Sequence, residues 1–236
     1  MRRRPAAPLR PATRVDLCLD LHGEAQGGAL LPVDHRERLA AALRDRLGSV
    51  LGPSGLDEPG IGPHPLRTVS TGGAEGWSDG ALMLPRRARL LLRLPREQAL
   101  AAATALDGTT LDLGGDCPLR LERPLIRELD PSPTLHSRLV VMSDQVSEDL
   151  PAAELRFEQD VLAALTRLDP ELEDQPLICG KATRLALSGG VVQGFALVLH
   201  DLTPAQSLLL QETGLGQHRW FGLGLLTPHK TITGLY

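Results

Sequence analysis

Gly214-Leu-Gly-Gln-His-Arg-Trp-Phe-Gly-Leu-Gly224 is the stretch from which the fold of this chain is read. Two Gly-Leu-Gly triplets bracket five residues that include His218, Arg219 and Trp220. Glycine tolerates positive φ and lets other groups approach the backbone closely. A cation beside an aromatic ring suits phosphate and base contacts. The plainer alternative is a glycine-rich turn that only joins two elements. Position narrows the choice. Leu202-Thr-Pro-Ala-Gln-Ser207 opens a short helix just upstream, with Pro204 in the favoured first position. Leu223 to Thr227 then reads as a last strand. Dinucleotide and P-loop sites place their glycines after a strand and before a helix, whose N-terminus holds the phosphate. The order here is the reverse, and both classes are excluded.

Working outward, the rest of the second half completes a unit. Thr134 to Met142 is a strand, and residues 151–168 carry leucines and valine in a helical pattern. Gln175 to Leu187, broken near Gly180, and Val191 to His200 are two strands around a Ser-Gly-Gly turn. The first half runs in the same order. Val15 to Leu21 alternates as a half-buried strand does. A helix follows with Leu39, Leu43 and Leu47 on one face, Asp34 as N-cap and Gly48 as stop. Residues 48–63 and 70–80 read as loops, with a short strand near Leu66–Ser70 between them. Ala88 to Leu94 is a strong strand, Pro95 opens a helix through Leu106, and Leu111 to Leu121 holds the last strand material. Each half is thus βαββαβ. The predicted class is α+β, a tandem ferredoxin-like pair with a C-terminal glycine-rich loop. The expected divisions are a disordered basic arm at 1–13, domains at 14–125 and 126–236, and the loop at 214–224.

The chain has 236 residues, which suits two domains. It is 42% hydrophobic but only 3% aromatic, so its cores must be aliphatic. Scarce aromatics also argue against base stacking on a sheet face, as an ordinary RNA-recognition module would do. No apolar run approaches a membrane span. The start, Met1-Arg-Arg-Arg-Pro5, lacks the apolar stretch of a secretory signal. Cys18, Cys117 and Cys179 are odd in number and widely spaced, which favours a reducing compartment, the cytoplasm, and opposes a zinc knuckle. Net charge is −4, so any polyanion must be met by local patches. Lys181 and Lys230 are the only lysines; arginines cluster at Arg86, Arg87 and Arg89, then at Arg93 and Arg96. A GC-rich genome would equally explain the arginine.

Two glycine-hydrophobic-glycine triplets around a cation, late in a double ferredoxin-like chain, resemble the signature of the RAMP superfamily of CRISPR proteins. Leu31-Pro-Val-Asp-His35, Leu84 to Pro95, Ser207 to Gly224 and Pro228-His-Lys230 narrow the resemblance to the repeat-processing endoribonucleases, the Cas-six family. Such proteins cut CRISPR precursor RNA within each repeat, without metal or other cofactor. The 2′-hydroxyl upstream of the scissile phosphate attacks, leaving a 2′,3′-cyclic phosphate and a 5′-hydroxyl. Many keep the 3′ stem-loop of the mature guide RNA and join other effector subunits. The alternative is a non-catalytic RNA-binding subunit of the same superfamily.

His35 is the catalytic candidate. Histidine exchanges protons near neutral pH, and the resemblance places the family's catalytic histidine at a comparable point of the first helix. Packing at the end of an apolar stripe is the competing view. Lys181 is the candidate for phosphorane charge, with Arg184 beside it; a solvated strand edge is the plain alternative. RNA contacts are expected from Arg86, Arg87 and Arg89, from Lys181, Arg184 and Lys230, and from the loop residues Gly214, Gly216, His218, Arg219, Trp220, Gly222 and Gly224. Arg87 and Arg89 are expected to share a strand face. Leu215 and Leu223 are expected to pack inward, and His22, His64, His136, His200 and His229 to be structural or exposed. No His and carboxylate set has metal-ligand spacing.

Overall fold

The computed structural model describes residues 10–23, 29–32, 34–70, 82–114 and 117–229. Residues 1–9 of the arm expected at 1–13, residues 71–80 of the loop expected at 70–80, and Lys230 lie outside these residues. The end of the expected arm is packed rather than disordered: Ala12 is buried with Leu129 and Leu208, and Thr13 O accepts from Arg96 N–H at 2.9 Å. Strand β1 (Arg14–Gly23), β2 (Ala29–Leu31), helix α1 (His35–Leu56), β3 (Gly62–Pro63), β4 (Val69–Ser70), β5 (Leu82–Leu84) and β6 (Ala88–Pro95) come first. A 3-10 turn at Arg96–Gln98, α2 (Ala99–Leu106), β7 (Thr110–Asp112) and β8 (Pro118–Glu128) complete the first half. The second half holds β9 (Leu135–Val140), α3 (Leu150–Leu168), β10 (Leu177–Leu187), β11 (Gly190–Leu199), α4 (Pro204–Thr213) and β12 (Thr227–Pro228).

The first sheet has the order β3-β6-β1-β8-β7, with neighbours antiparallel. The second has the order β10-β11-β9-β12, again antiparallel. In both, the first strand of the unit lies between the third and fourth, and the second strand flanks the third. That is the ferredoxin-like arrangement, twice over. A small extra sheet, β2-β5-β4, is inserted in the first half. The first core is aliphatic: Leu17, Leu19, Leu21, Leu43, Leu47, Leu90, Leu92 and Leu94 are buried together. The second gathers Leu135, Val140, Phe157, Val161, Leu165, Phe195 and Leu197.

Three boundaries differ from expectation. Helix α1 does not stop at Gly48; it kinks at Gly52, where φ is +67°, and runs on past Pro53 to Leu56. The physical reason is burial, since Leu47, Leu51 and Leu56 extend the apolar stripe onto the core. Asp34 precedes α1 without capping it, because its carboxylate accepts from Arg38 Nε at 2.7 Å. Strand β8 continues through the expected division at 125 to Glu128, because Leu125 to Glu128 remain paired with Val15 to Cys18. The last strand is only Thr227–Pro228; Leu223 to Leu226 belong to the loop before it. Helix α4 begins as expected. Thr203 accepts from Gln206 N–H at 3.3 Å while the Gln206 side chain accepts from Thr203 N–H at 3.0 Å, a capping box.

Arg93 joins the halves. It is fully buried on β6, directly across from its register partner Asp16 on β1. Its guanidinium donates to both Asp16 carboxylate oxygens, at 2.9 and 3.1 Å. Its Nη1 donates to the carbonyls of Gln211 at 2.7 Å and Leu226 at 2.9 Å, both in the second half. His64 Nε2–H completes the set with a 3.3 Å bond to Asp16 Oδ1. Burial works to raise the Asp16 carboxyl, but the His64 bond and the Arg93 charge outweigh it and hold it well below the usual range. Burial is also the chief cause that lowers His64.

Removing one partner of a buried pair costs about 3–5 kcal/mol. Arg93→Ala is therefore expected to lower unfolding free energy by about that much, read by urea titration. Asp16 and His64 both have folded pKa values below their unfolded ones, so their stabilisation is present above those unfolded values and is lost as pH falls. Wild-type stability should drop on acidification, below about pH 6 through His64 and further below about pH 4 through Asp16; Asp16→Asn should remove the lower of these two losses.

Candidate active site

His35 opens α1, where Pro32 O accepts its backbone N–H at 3.0 Å and lies 3.0 Å from its ring Nδ1. A carbonyl only accepts, so this contact places the proton on Nδ1 and leaves Nε2 as the basic ring nitrogen. His35 is 5% exposed. It lines a small crevice at the junction of the two halves, with Arg36, His64, Leu66, Trp220 and Gly222 among its walls. Arg36 Nη1 donates to Phe221 O at 3.2 Å, tying the first turn of α1 to the glycine loop. Burial, then the charge of Arg138, depress the Arg36 pKa. One residue on, the Glu37 carboxylate accepts from Ser188 N–H at 2.9 Å and Ser188 Oγ at 2.6 Å, so the β10–β11 turn also docks on α1.

The glycine segment is a clasp between the halves, and most of its expected ligand groups are used internally. Trp220 is buried in the first core, donates from Nε1 to Leu56 O at 2.6 Å, and lies under the Arg44 guanidinium at 5.2 Å. That burial removes it as a stacking platform for a base. Arg219 donates to Thr213 O at 3.2 Å and Gly216 O at 3.1 Å, and burial pushes its pKa down to about 10. It shapes the loop from inside. His218, at φ +58°, holds Asp144 Oδ1 at 2.7 Å from Nε2 and stacks on Phe221 at 5.8 Å. Leu223 packs with Leu139, Val141 and Val192, and Leu215 enters the second core, both inward as expected.

The glycines have the same explanation. At Gly216 (φ +79°) an added Cβ would overlap the Val141 carbonyl; at Gly224 (φ +70°) it would overlap the Leu215 carbonyl. Gly214 lies against Gly224 O, and Gly222 against Pro65. Their close approaches are to the protein's own backbone.

The remaining predicted residues are dispersed. Arg86 and Arg87 are exposed in the turn before β6 rather than in the strand, so Arg87 does not share its face with Arg89. Arg89 Nε pairs with Asp20 Oδ1 at 3.2 Å. Lys181 is exposed at the irregularity of β10 and is absent from the cleft that holds His35. Arg184 is held by Glu148 Oε1 at 2.9 Å and Ser147 O at 3.0 Å. Folding also brings together a group that spacing did not show: ligating atoms of Glu154, Glu158 and Cys179 lie within 4.8 Å of one another. Burial first, then those carboxylates, push the Cys179 thiol up to about 12. Among the described residues, no helix is long and apolar enough to cross a membrane.

Sequence reading missed Arg36, whose only signal was its place beside His35; His64 is structural, as expected, through its bond to Asp16.

Comparison with known proteins agrees on one family. The Cas6 profile, described as Cas6 Crispr, matches residues 15–231. A CRISPR-associated endonuclease Cas6 from Myxococcus xanthus (strain DK1622) is 32% identical over 210 residues, 89% of this chain and 81% of that protein. Among solved structures, the product of a Cas6-related gene from Pyrococcus furiosus superposes with TM-score 0.64 at 14% identity, covering 91% of this chain and 98% of the other. A RAMP protein described as binding different RNA substrates gives TM-score 0.65 at 12% identity, covering 92% and 100%. These structural likenesses support the fold.

Gly224→Ala and Gly216→Ala are each expected to destabilise by more than about 2 kcal/mol, from positive-φ strain plus overlap. Gly48→Ala, in a helix with open space around it, should be neutral or stabilising by up to about 1 kcal/mol. Thermal melts of the three variants check the contrast.

Proposed function

The chain belongs to the Cas6 family of CRISPR proteins, and we propose that it is an endoribonuclease that cuts CRISPR precursor RNA within its repeats. The observation that carries the proposal is the tautomer and position of His35: Nδ1 bonded to Pro32 O, and the imidazole in the wall of a cleft closed by the glycine loop. The name of the Myxococcus relative, an endonuclease, supports the reaction class.

The reaction is a metal-independent transesterification. His35 Nε2 takes the proton of the 2′-hydroxyl, O2′ bonds to the adjacent phosphorus, and the P–O5′ bond breaks. The products are a 2′,3′-cyclic phosphate and a 5′-hydroxyl, the leaving oxygen gaining a proton. Arg36, in the same cleft, supplies positive charge toward the phosphorane. Arg86 and Arg87, exposed at the turn before β6, are assigned to phosphate contacts along a repeat hairpin. After cutting, the protein keeps the 3′ stem-loop of the guide RNA and joins further effector subunits in the cytoplasm.

The low exposure of His35, 5%, favours the second reading, a non-catalytic RNA-binding subunit. Incubation with repeat RNA of the source genome in EDTA separates the two. His35→Ala is expected to lose about 10²–10⁴-fold in cleavage rate with RNA affinity retained. Undiminished cleavage by that variant contradicts the role of His35; no cleavage by the wild-type protein, with tight binding, selects the second reading.

A further inference from the structure

His136 and His229 meet edge to face, with ring centroids 4.9 Å apart and planes at 64°. Backbone pairing creates the meeting. Thr227 on β12 is the register partner of His136 on β9, and His229 N–H donates to Thr134 O at 2.9 Å. Thr227 also orients the His136 ring: its carbonyl and hydroxyl oxygens lie 3.4 and 3.2 Å from Nδ1. Arg138 stands two residues further along β9 and is exposed, as is Arg67, in the segment after β3. Both lie close enough for their charges to act on His136, and Arg138 acts on Arg36 as well.

Several arginines elsewhere face carboxylates, as Arg14 does Glu58, Arg44 does Asp57 and Arg96 does Glu128. Among the described residues, Arg36, Arg67 and Arg138 have no carboxylate ion pair. Like charges held together raise one another's free energy. Arg36, Arg67 and Arg138 with His136 and His229 bring positive or protonatable groups from four segments together in a chain of net charge −4.

We propose that His136, packed against His229 and flanked by Arg67 and Arg138, forms a proton-linked grip for the RNA phosphate backbone. The proposal rests on the RNA-processing reading and adds its regulation by pH. In the free protein, burial is the main cause that holds His136 below its ordinary range; His229, Arg138 and Arg67 add to it, and the Thr227 carbonyl opposes it. A phosphate diester reverses the balance by favouring the imidazolium. Binding then takes up protons, and affinity rises as pH falls.

The test measures binding of a labelled uridine dodecamer in EDTA at fixed ionic strength, from about pH 8 to about pH 5.5. The same preparations are assayed for cleavage of the source genome's repeat RNA. Wild-type affinity should rise by about 10-fold across the range. A His136→Asn, His229→Asn double variant should lose that dependence while still binding at the alkaline end. Arg67→Ala with Arg138→Ala, at exposed positions, should reduce the slope of log Kd against log salt by about 1–2. Wild-type pH dependence in the double histidine variant overturns the grip, as does a flat wild-type profile in a protein that cleaves repeat RNA; both leave the RNA-processing reading standing. A wild-type protein that neither binds nor cleaves RNA overturns that reading and the grip with it.

Discussion

The guanidinium of Arg93 is the constraint on which the site depends. It bonds Asp16 on the central strand of the first sheet and the carbonyls of Gln211 and Leu226 in the second half. Those two carbonyls flank the glycine loop, so one buried cation holds both its ends. Between them the loop sends Trp220 into the first core, Leu215 into the second, and Leu223 onto a third apolar cluster. The position of Phe221 that results lets its carbonyl receive Arg36. His35, next in the helix, thereby faces a wall fixed from the far end of the chain. A buried charge needs full pairing, and here the pairing is what sets the two halves against each other.

Much of the fold was readable because local periodicity and topology agreed. Both βαββαβ orders, the interruption of β10 near Gly180, and the start of α4 at Thr203 follow from spacing and capping. The misread boundaries share a cause. Gly48, Gly52 and Pro53 look like a stop, but tertiary burial of Leu51 and Leu56 carries α1 across its kink. Pairing with β1 likewise carries β8 beyond the expected division. Arg93 reads in sequence only as one of a run of clustered arginines, because nothing local shows that the second half will cover it.

The site divided in the same way. His35 was visible from its helix and from the family resemblance, and the structure places it in a cleft at the junction. The loop was visible as a required backbone shape, but its purpose was not: glycines that could admit a ligand instead admit the carbonyls of Val141 and Leu215. Arg219 and Trp220 have the chemistry to meet RNA and are consumed by loop and core. His136 and His229 are far apart in sequence and meet only through β9–β12 pairing, which no short pattern announces.

In the proposed reaction this fold presents RNA to His35 for attack by the RNA's own 2′-hydroxyl. A set of repeat RNAs, each with a single 2′-deoxynucleotide, incubated in EDTA with the wild-type protein, tests it most directly. The account predicts that one substitution, at the nucleotide just upstream of the cut, abolishes cleavage while every RNA in the set is bound and the others are cut. Cleavage that survives every substitution, or that proceeds only with added divalent metal, would contradict it.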